Sequence, residues 1–383
     1  MPRVYLDHNA STPLDPAVRD EMGRATALFG NASSLHEEGR RAKDALEGAR
    51  DRVSRVLGCR PREVVFTSGG TEAINLGLRG AAVARAGVAR RVVVSAVEHA
   101  AVLDCAGGLE SDGFEVVRVA PLPDGRIDAA EFDEACGPGA AVACLMLANH
   151  ETGALMPVAA AVERLRARKV PLLCDAALGP GILDVRVDSL GVDLLALSAH
   201  KWNGPKGIGA LYVRRKTKLA PVLRGGVQEE RIRPGTENVP GAVGFAVALE
   251  RADLARTERA ARYAALVARL EVGLLLVPGV RLVGPLPSTD GRLMTTVNVE
   301  VDGCEGEALL VNLDLEGIAV STGSACAVGS TDPSPVLLAM GFSAKRAAST
   351  IRMSVGEGVD DADVDRAARS FRAIVARLRS LSR

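Results

Sequence analysis

One lysine lies at a position where it is either chemically used or has to reach solvent. Lys201 follows the apolar segment 192–198 (VDLLALS), which predicts a buried strand, and precedes a glycine-rich turn at 204–209. A lysine at the end of a core strand costs free energy unless it is paired or chemically used, although its long stem also lets the ammonium reach solvent. Ser198 and His200 lie beside it and can bind an anion. By itself the segment leaves both explanations open, since a lysine at the end of a strand usually reaches solvent.

Other apolar runs predicted to be strands also end in polar side chains. In open α/β sheets the carboxyl ends of parallel strands form the edge where ligands bind. We therefore expect these side chains to meet Lys201 at one edge of a sheet. The runs 63–68, 91–97, 140–147 and 170–175 deliver, in that order, Gly69-Gly70-Thr71-Glu72, Glu98-His99, Asn149-His150-Glu151 and Asp175.

Together these groups suit a cofactor that has a phosphate, a basic ring nitrogen and an aldehyde. Gly70 and Thr71 at the start of a helix can hold the phosphate, Asp175 can pair with the protonated ring nitrogen, and Lys201 can bond the aldehyde. Pyridoxal 5'-phosphate (PLP) has all three features. Taken singly, each residue also has a structural explanation, such as a helix cap or a packed imidazole. GPKGIG at 204–209 is not a dinucleotide fingerprint, because it leads into a strand.

The elements that must position these residues alternate along the chain. Short apolar runs are separated by helical stretches such as 34–58 and 158–169, a pattern typical of an α/β fold with a mostly parallel sheet. A long helical stretch is predicted at about 241–275, before a region with a different pattern of turn residues that contains the strand-like run 294–303. We expect a large domain over 16–255 and a smaller α+β domain formed by 1–15 and 256–383.

Composition excludes several classes of protein. The chain has 383 residues, with 47 Lys+Arg balanced by 47 Asp+Glu, so electrostatics give no case for nucleic acid or a membrane surface. No apolar run approaches the roughly 18 residues of a membrane span, and the N-terminus lacks the apolar region of a secretory signal. The seven cysteines include no C-x-x-C pair, so we expect neither a disulfide framework nor a metal site. A cytoplasmic protein is predicted.

Motifs along nearly the whole chain resemble those of the cysteine desulfurases of the NifS/IscS family. These are fold-type-I PLP enzymes grouped with the class V aminotransferases, so the resemblance implies that fold, with its large domain and smaller α+β domain. The motifs are YLDHNASTP, GNASSLHEEGR, FTSGGTEAINL, EHAAVLD, NHETG, DAALG, SAHKWNGPKGIGALYVRR, RPGTENV, STGSACAVGS, PSPVLLAMG and STIRMSVG.

The resemblance assigns a role to most of the polar residues at the predicted sheet edge. Lys201 matches the lysine that bonds the cofactor, Asp175 the partner of its ring nitrogen, and His99 the imidazole stacked on the ring and moving protons. Thr236 matches a phosphate ligand donated by the other subunit of a homodimer. The remaining expected ligands are Gly70, Thr71, Ser198 and His200 for the phosphate, His150 for the cofactor and Asn149 for the substrate.

Two further residues match groups that act on the substrate. Cys326 lies in a segment rich in small residues, 321–335, which predicts an exposed loop, whereas most free cysteines are buried. Composition alone leaves its reactivity open, but it matches the family's nucleophile. Arg352 lies in a strand-like run where a structural ion pair is the simplest explanation; in the family it binds the substrate carboxylate, for which a guanidinium is well shaped.

The implied activity is conversion of L-cysteine to L-alanine, with the sulfur left as a persulfide on Cys326. A sulfur-acceptor protein would then receive it for iron–sulfur cluster or thio-cofactor biosynthesis. Two alternatives stay open. One is another fold-type-I lyase or aminotransferase, such as a selenocysteine lyase, and the other is a PLP-binding scaffold protein without turnover.

The chain departs from the family pattern beside the expected cofactor. His150 stands where the family usually has asparagine, and Leu178 where it has a glutamine that donates to the phenolic oxygen of PLP. Leucine cannot donate a hydrogen bond. We hypothesise that His150 takes over the hydrogen bonding near that oxygen. Val227 and Glu230 also differ from the usual residues of the segment that leads to Thr236.

Overall fold

The computed structural model describes residues 3–286, 291–322 and 333–381. In chain order, the strands β1 to β12 are Val4–Tyr5, Val64–Thr67, Arg91–Ser95, Glu115–Val119, Ala140–Cys144, Leu172–Asp175, Leu194–Ser198, Gly209–Val213, Val280–Leu282, Thr296–Val301, Ile318–Ala319 and Thr350–Ser354. The helices α1 to α13 are Pro16–Ala25, Glu37–Leu57, Gly70–Arg85, Ala100–Ser111, Ala129–Cys136, Val158–Arg168, Val187–Leu190, Val239–Leu254, Arg256–Leu275, Gly306–Leu315, Pro335–Ala339, Ala344–Ala348 and Asp361–Leu381. Short 3-10 turns lie at Pro61–Glu63, Gly137–Gly139, Ala199–Lys201 and Glu229–Arg231.

A seven-stranded, mostly parallel sheet forms the centre of the molecule. Its strand order is β2-β8-β7-β6-β5-β3-β4, and only β8 runs antiparallel to its neighbours. Successive residues of its inner strands are buried on opposite faces: Val93 packs in one core cluster, and Val92 and Val94 in another. Strands buried on both faces must be almost wholly apolar, which explains the continuous apolar runs of the sequence. The predicted mixed α/β fold is confirmed.

Helices cover both faces of this sheet. The helices α2, α5, α6 and α8 contribute to the core on one face, and α3 and α4 to the core on the other. On α2, Ala42, Leu46, Ala49 and Val53 recur at the spacing of one helical face and are buried. The sheet is therefore enclosed, and its carboxyl edge is where loops are free to form a site.

A second, smaller core lies beyond the large sheet. The antiparallel sheet β12-β10-β9 and the pair β1-β11 pack with α9, α10 and α13 around residues such as Leu270, Val299 and Phe371. Val4 and Leu6 at the N-terminus belong to this same core. The domain bounds expected from the sequence, with 1–15 joined to 256–383, stay a prediction.

Two helices occupy the helical stretch predicted at about 241–275. The first ends at Leu254 and the second begins at Arg256, with Ala255 between them at φ −90° and ψ −1°. Ala252 packs in a core of the large sheet, whereas Tyr263 and Leu266 pack in the smaller core. The bend lets adjacent apolar faces point into different cores. None of the described helices is long and apolar enough to cross a membrane.

Candidate active site

The carboxyl ends of four neighbouring parallel strands bring the predicted residues to one edge. Asp175 is the last residue of β6 and Ser198 the last of β7, and His99 and Asn149 follow β3 and β5 within a few residues. Lys201 ends the 3-10 turn that follows β7. The charges of His99 and Lys201 both act on the Asp175 carboxyl, so these groups lie close together, as the strand pattern predicts.

Lys201 is held by the backbone of the N-terminal segment. Its Nζ donates to the carbonyl oxygens of Asn9, at 2.5 Å, and Ala10, at 3.1 Å. Thr12 reinforces the arrangement, because its N–H and its hydroxyl both donate to the His200 carbonyl, at 2.9 and 2.8 Å. The lysine is half-buried and its ammonium is fixed in direction. This segment thus stabilises the charge that a buried lysine would otherwise make costly.

Two buried carboxyl groups lie at this edge. Burial raises the pKa of Asp175, while the N–H of Ala177, 3.0 Å from its Oδ1, and the charges of His99 and Lys201 act in the opposite direction. Glu98 is 1% exposed, and burial raises its pKa to about 8. Its Oε1 accepts from the Ser95 hydroxyl and the Met146 N–H, both at 2.8 Å. The expected pairing of Asp175 with the ring nitrogen of a cofactor stays a prediction.

Two imidazoles pack edge to face with ring centroids 5.3 Å apart. His99 caps α4 by accepting from the Ala101 N–H at 3.1 Å through Nδ1, so Nε2 carries the proton of the neutral ring. Burial lowers the pKa of both His99 and His150, and the neighbouring ring adds to the effect on His150. Among the described residues, His150 Nδ1 is buried without a hydrogen-bond partner. A neutral imidazole therefore has one nitrogen available to a bound molecule.

The helix α3 begins at Gly70 with its amide groups toward the end of β7. Gly69 caps the helix without a side-chain hydrogen bond, so the first amides keep no protein side-chain cap, and Thr71 is exposed. A Cβ on Gly70 would stand 3.2 Å from that of Ser198, so helix and strand end lie in contact. His200 Nδ1 lies 3.3 Å from the Ser11 hydroxyl. A helix N-terminus beside a serine is suited to a phosphate.

Arg352 makes the ion pair expected of a buried guanidinium. It is 2% exposed; Nη2 donates to Asp7 Oδ1 at 2.7 Å and Nη1 to the His150 carbonyl at 3.0 Å. Asn149 is fully buried, and its amide shapes the loop: Nδ2 donates to the Val97 carbonyl at 2.9 Å, and Oδ1 accepts from two backbone amides and a hydroxyl in residues 151–152. Substrate binding by both residues stays a prediction.

Cys326 lies outside the described residues, but both ends of its segment are fixed near the site. Ser321 exchanges two backbone hydrogen bonds with Arg352, at 3.0 and 2.7 Å, and the Ser334 hydroxyl donates to Glu151 at 2.6 Å. Thr236 is exposed, and its role toward a second subunit stays a prediction.

The groups at this edge fit PLP. A buried carboxyl can face the ring nitrogen, a lysine held by two carbonyls can bond the aldehyde, and the amides of α3 with Ser198 can hold the phosphate. His150 Nδ1 is a further polar atom of this edge, and it makes no hydrogen bond with any described residue. Leu178, half-buried, lines a cavity of about 50 Å³ that Lys201 also lines, and offers no hydrogen bond there.

Four residues position this machinery in ways that the sequence did not predict, although Glu98 and Glu151 were expected at this edge. Asp7 pairs with Arg352, and the Asn9 carbonyl accepts from Lys201. Glu98 lies near Asp175, and Glu151 accepts from Ser334. A signal for Asp7 and Asn9 was present, since the polar run DHNAST at 7–12 directly follows an apolar pair. Nothing in the sequence indicated that this run would meet residues some 190 positions away.

Comparison with known proteins agrees with this arrangement. The family model for aminotransferase class-V matches residues 4–367. The chain is 41% identical to a cysteine desulfurase IscS of Anaeromyxobacter dehalogenans, over 99% of this chain and 94% of that protein. A solved structure described as a NifS-like protein superposes with a TM-score of 0.91 at 32% identity, covering 98% of this chain and 99% of the other.

A second solved structure, described as SspA in complex with cysteine, has a TM-score of 0.79 at 34% identity, covering 92% of this chain and 98% of that one. These likenesses extend over the whole length of the chain, and they include the sheet edge described above. The chain belongs to the aminotransferase class-V family and, within it, to the PLP-dependent cysteine desulfurases of the NifS/IscS type.

Proposed function

We propose that this protein is a PLP-dependent L-cysteine desulfurase that forms L-alanine and leaves the sulfur as a persulfide on Cys326. One observation carries the proposal beyond family membership. The segment that bears Cys326 leaves the described residues directly beside Arg352, through the backbone pairing of Ser321. The same small region therefore presents a guanidinium for a substrate carboxylate and tethers a thiol.

The cofactor, when bound, supplies an electron sink for the bonds at the substrate α-carbon. Lys201 Nζ is placed to take the α-proton and to return a proton, because it is held at the edge by Asn9 and Ala10. Asp175 is buried near the cation of Lys201, and its carboxylate would keep the ring nitrogen of the cofactor protonated. His99 Nε2–H, on a ring held neutral because burial lowers its pKa, can donate a hydrogen bond to a group that gains or loses a proton in these steps.

The sulfur step needs the Cys326 thiolate to reach the substrate sulfur. Attack forms the new S–S bond while the substrate C–S bond breaks, and the carbon skeleton takes up protons to become alanine. Cys326 is five residues from Ser321 and eight from Ser334, so an extended chain keeps it within about 18 and 29 Å of these anchors. An ordinary thiol has a pKa of about 8.5, so the thiolate requires local stabilisation or mildly alkaline pH.

We further propose that the protein is a cytoplasmic homodimer that passes its sulfur to an acceptor protein. The exposure of Thr236 leaves its side chain accessible to a second subunit, as the proposal requires. The six described cysteines are unpaired, which supports a reducing compartment. Iron–sulfur clusters or thio-cofactors would be the destination of the sulfur.

A selenocysteine lyase is the second candidate, because the same lysine, carboxyl and guanidinium would serve selenocysteine. A scaffold protein that binds PLP without turnover is the third, and the His150 and Leu178 replacements are what favour it. The ratio of kcat/KM for L-cysteine to that for L-selenocysteine distinguishes a desulfurase from a selenocysteine lyase. Turnover of either one excludes the scaffold.

The test is alanine formed from L-cysteine by the purified, PLP-loaded protein under anaerobic reductant, with sulfide measured in parallel. Equal amounts of both support the proposal. Cys326→Ser should abolish sulfide release and keep the cofactor absorbance. An aminotransferase would be unaffected by that change, and unchanged turnover in Cys326→Ser would therefore contradict the proposal.

A further inference from the structure

A buried carboxyl that the reaction does not use links the active-site loop to the chain that follows Cys326. Glu151 is 2% exposed, and its Oε2 accepts a hydrogen bond of 2.6 Å from the Ser334 hydroxyl. Ser334 is also 2% exposed, and its oxygen accepts from the Leu337 N–H at 3.2 Å, which caps α11. One hydroxyl thus joins the start of this helix to the loop at 149–152.

That loop is itself firmly held and in contact with the catalytic groups. Asn149 Oδ1 accepts from the Glu151 N–H at 2.9 Å, and Asn298 Nδ2 donates to the Glu151 carbonyl at 3.2 Å. The His150 carbonyl accepts from Arg352 and from Asn9, both at 3.0 Å. Glu151 is therefore fixed relative to the guanidinium expected to bind substrate, and Ser334 is fixed relative to Glu151.

The contact does not depend on the ionisation of the carboxyl. Burial raises the pKa of Glu151 to about 7, while Ser334 and the cation of Arg352 act in the opposite direction. Asp7 pairs with Arg352, and His150, whose Nε2 lies 3.6 Å from Glu151 Oε1, is held neutral by burial. A carboxylate and a protonated carboxyl both keep an oxygen that accepts from Ser334. A glutamine should therefore replace Glu151 here.

We propose that Glu151 is a positioning residue, which anchors the chain after Cys326 to the active-site loop through Ser334 and so makes sulfur abstraction efficient. The inference rests on the proposed desulfurase function. Ser321 already fixes the chain before Cys326 beside Arg352, so Ser334 supplies the second of two anchors. Two anchored ends restrict the volume that a tethered thiol explores, which raises its effective concentration at the substrate sulfur.

The experiment compares variants of the PLP-loaded protein in a single turnover with saturating L-cysteine. Persulfide on Cys326 is followed by intact mass, and KM and cofactor absorbance are measured alongside. Ser334→Ala and Glu151→Met remove the contact, whereas Ser334→Thr and Glu151→Gln keep it. Ser343→Ala is the matched control, because Ser343 caps the equally short helix α12 and accepts from the Arg346 N–H without touching an acid.

We expect Ser334→Ala and Glu151→Met to slow persulfide formation about 10-fold, with KM within about twofold, since small displacements of a reacting group are costly. The double variant should be no slower than either single one. Ser334→Thr, Glu151→Gln and Ser343→Ala should stay within about threefold of the parent protein. Equal rates in Ser334→Ala and Ser343→Ala would overturn the proposal, as would a loss explained by KM alone.

A second readout does not require turnover. In cofactor-free protein, the rate at which iodoacetamide alkylates Cys326, read from the mass of its peptide, should rise at least threefold in Ser334→Ala and not in Ser343→Ala. An unchanged rate counts against the anchor. If the parent protein forms no alanine while this alkylation difference is present, the proposed function fails and the anchor does not.

Discussion

The two edges of the seven-stranded sheet carry very different sets of polar residues. At the carboxyl edge, Asp175 and Glu98 are buried, His99 and His150 are half-buried, and the pKa of each is shifted. The opposite edge holds a much larger cavity, about 600 Å³, lined by six cations and one acid. These are Arg85, Arg166, Lys169, Arg214, Lys216 and Lys218, with Asp193.

The cations at the opposite edge have a structural explanation. Arg85 and Arg166 lie in the last turns of α3 and α6, and Lys169 caps α6 in a left-handed conformation at φ 56°. Basic side chains stabilise helix C-termini, and most of these are exposed. Cavity size and charge therefore do not locate the active site of this protein. Buried groups with shifted pKa values, brought together by strand ends, do.

The largest difference is expected between the alanine-forming rates of two lysine variants, one at each edge of the sheet. Lys201→Ala should lower alanine formation at least 10³-fold, because the proton transfers lose their base and the cofactor its covalent partner. Lys216→Ala, at the opposite edge, should leave the rate within about twofold. Alanine assays and cofactor absorbance on both variants measure the difference. A Lys201→Ala protein with substantial activity would remove the distinction between the edges.

The second comparison is between two arginines, each of which lies near a carboxylate and donates to a backbone carbonyl. Arg352 binds Asp7 and the His150 carbonyl, and Arg214 lies 3.4 Å from Asp193 and donates to the Val192 carbonyl. Arg352→Lys should lower kcat/KM for cysteine about 100-fold, mainly through KM, because a lysine cannot fork a carboxylate. Arg214→Lys should have no such effect on steady-state kinetics. Equal kinetics would show that Arg352 is only structural.

The third comparison uses stability. The pKa of Glu98 is raised to about 8, so the folded protein binds its proton more tightly than the unfolded chain. Stability from this group is present at low pH and is lost as pH rises toward 8. Glu98→Gln should therefore reduce the fall in unfolding free energy between pH 6 and 8.5 by about 2 kcal/mol. Urea titrations of the apo protein across this pH range measure the difference, and Glu115→Gln, at an exposed glutamate, is the control. The same pH dependence of the unfolding free energy in Glu98→Gln and in the parent protein would contradict the prediction.

The smallest effect tests the His150 hypothesis. His150→Ala should move the pH midpoint of the bound cofactor's absorbance by about half a unit or more, since a hydrogen-bonding group near its phenolic oxygen is lost. His36→Ala, an exposed imidazole that caps α2, is the control. Titration by absorbance decides, and an unchanged midpoint in His150→Ala would mean that no residue replaces the amide missing at Leu178.

Much of this contrast could be predicted from the sequence, but not all of it. Strands buried on both faces leave continuous apolar runs, so β3, β5, β6 and β7 and the residues at their ends were predicted. The break at Ala255 was not, because the helical periodicity continues through it and only the positions of two cores distinguish its sides. Glu98 was noted beside His99, yet its carboxyl is held by Ser95 at the end of β3 and by Met146 just after β5.

The α/β class, the sheet edge of the predicted site, and Lys201, Asp175 and His99 as residues of that edge could be predicted without the structure, because they follow from local patterns and from motifs that resemble a known family. The contacts that hold these and neighbouring residues depend on the folded chain: the carbonyls of residues 9 and 10 accept from Lys201, Asp7 pairs with Arg352, and Glu151 accepts from Ser334. Such contacts join residues about 180 to 350 positions apart. A backbone carbonyl or a buried acid leaves no local signal of its partner, since the partner is set by how the two cores pack.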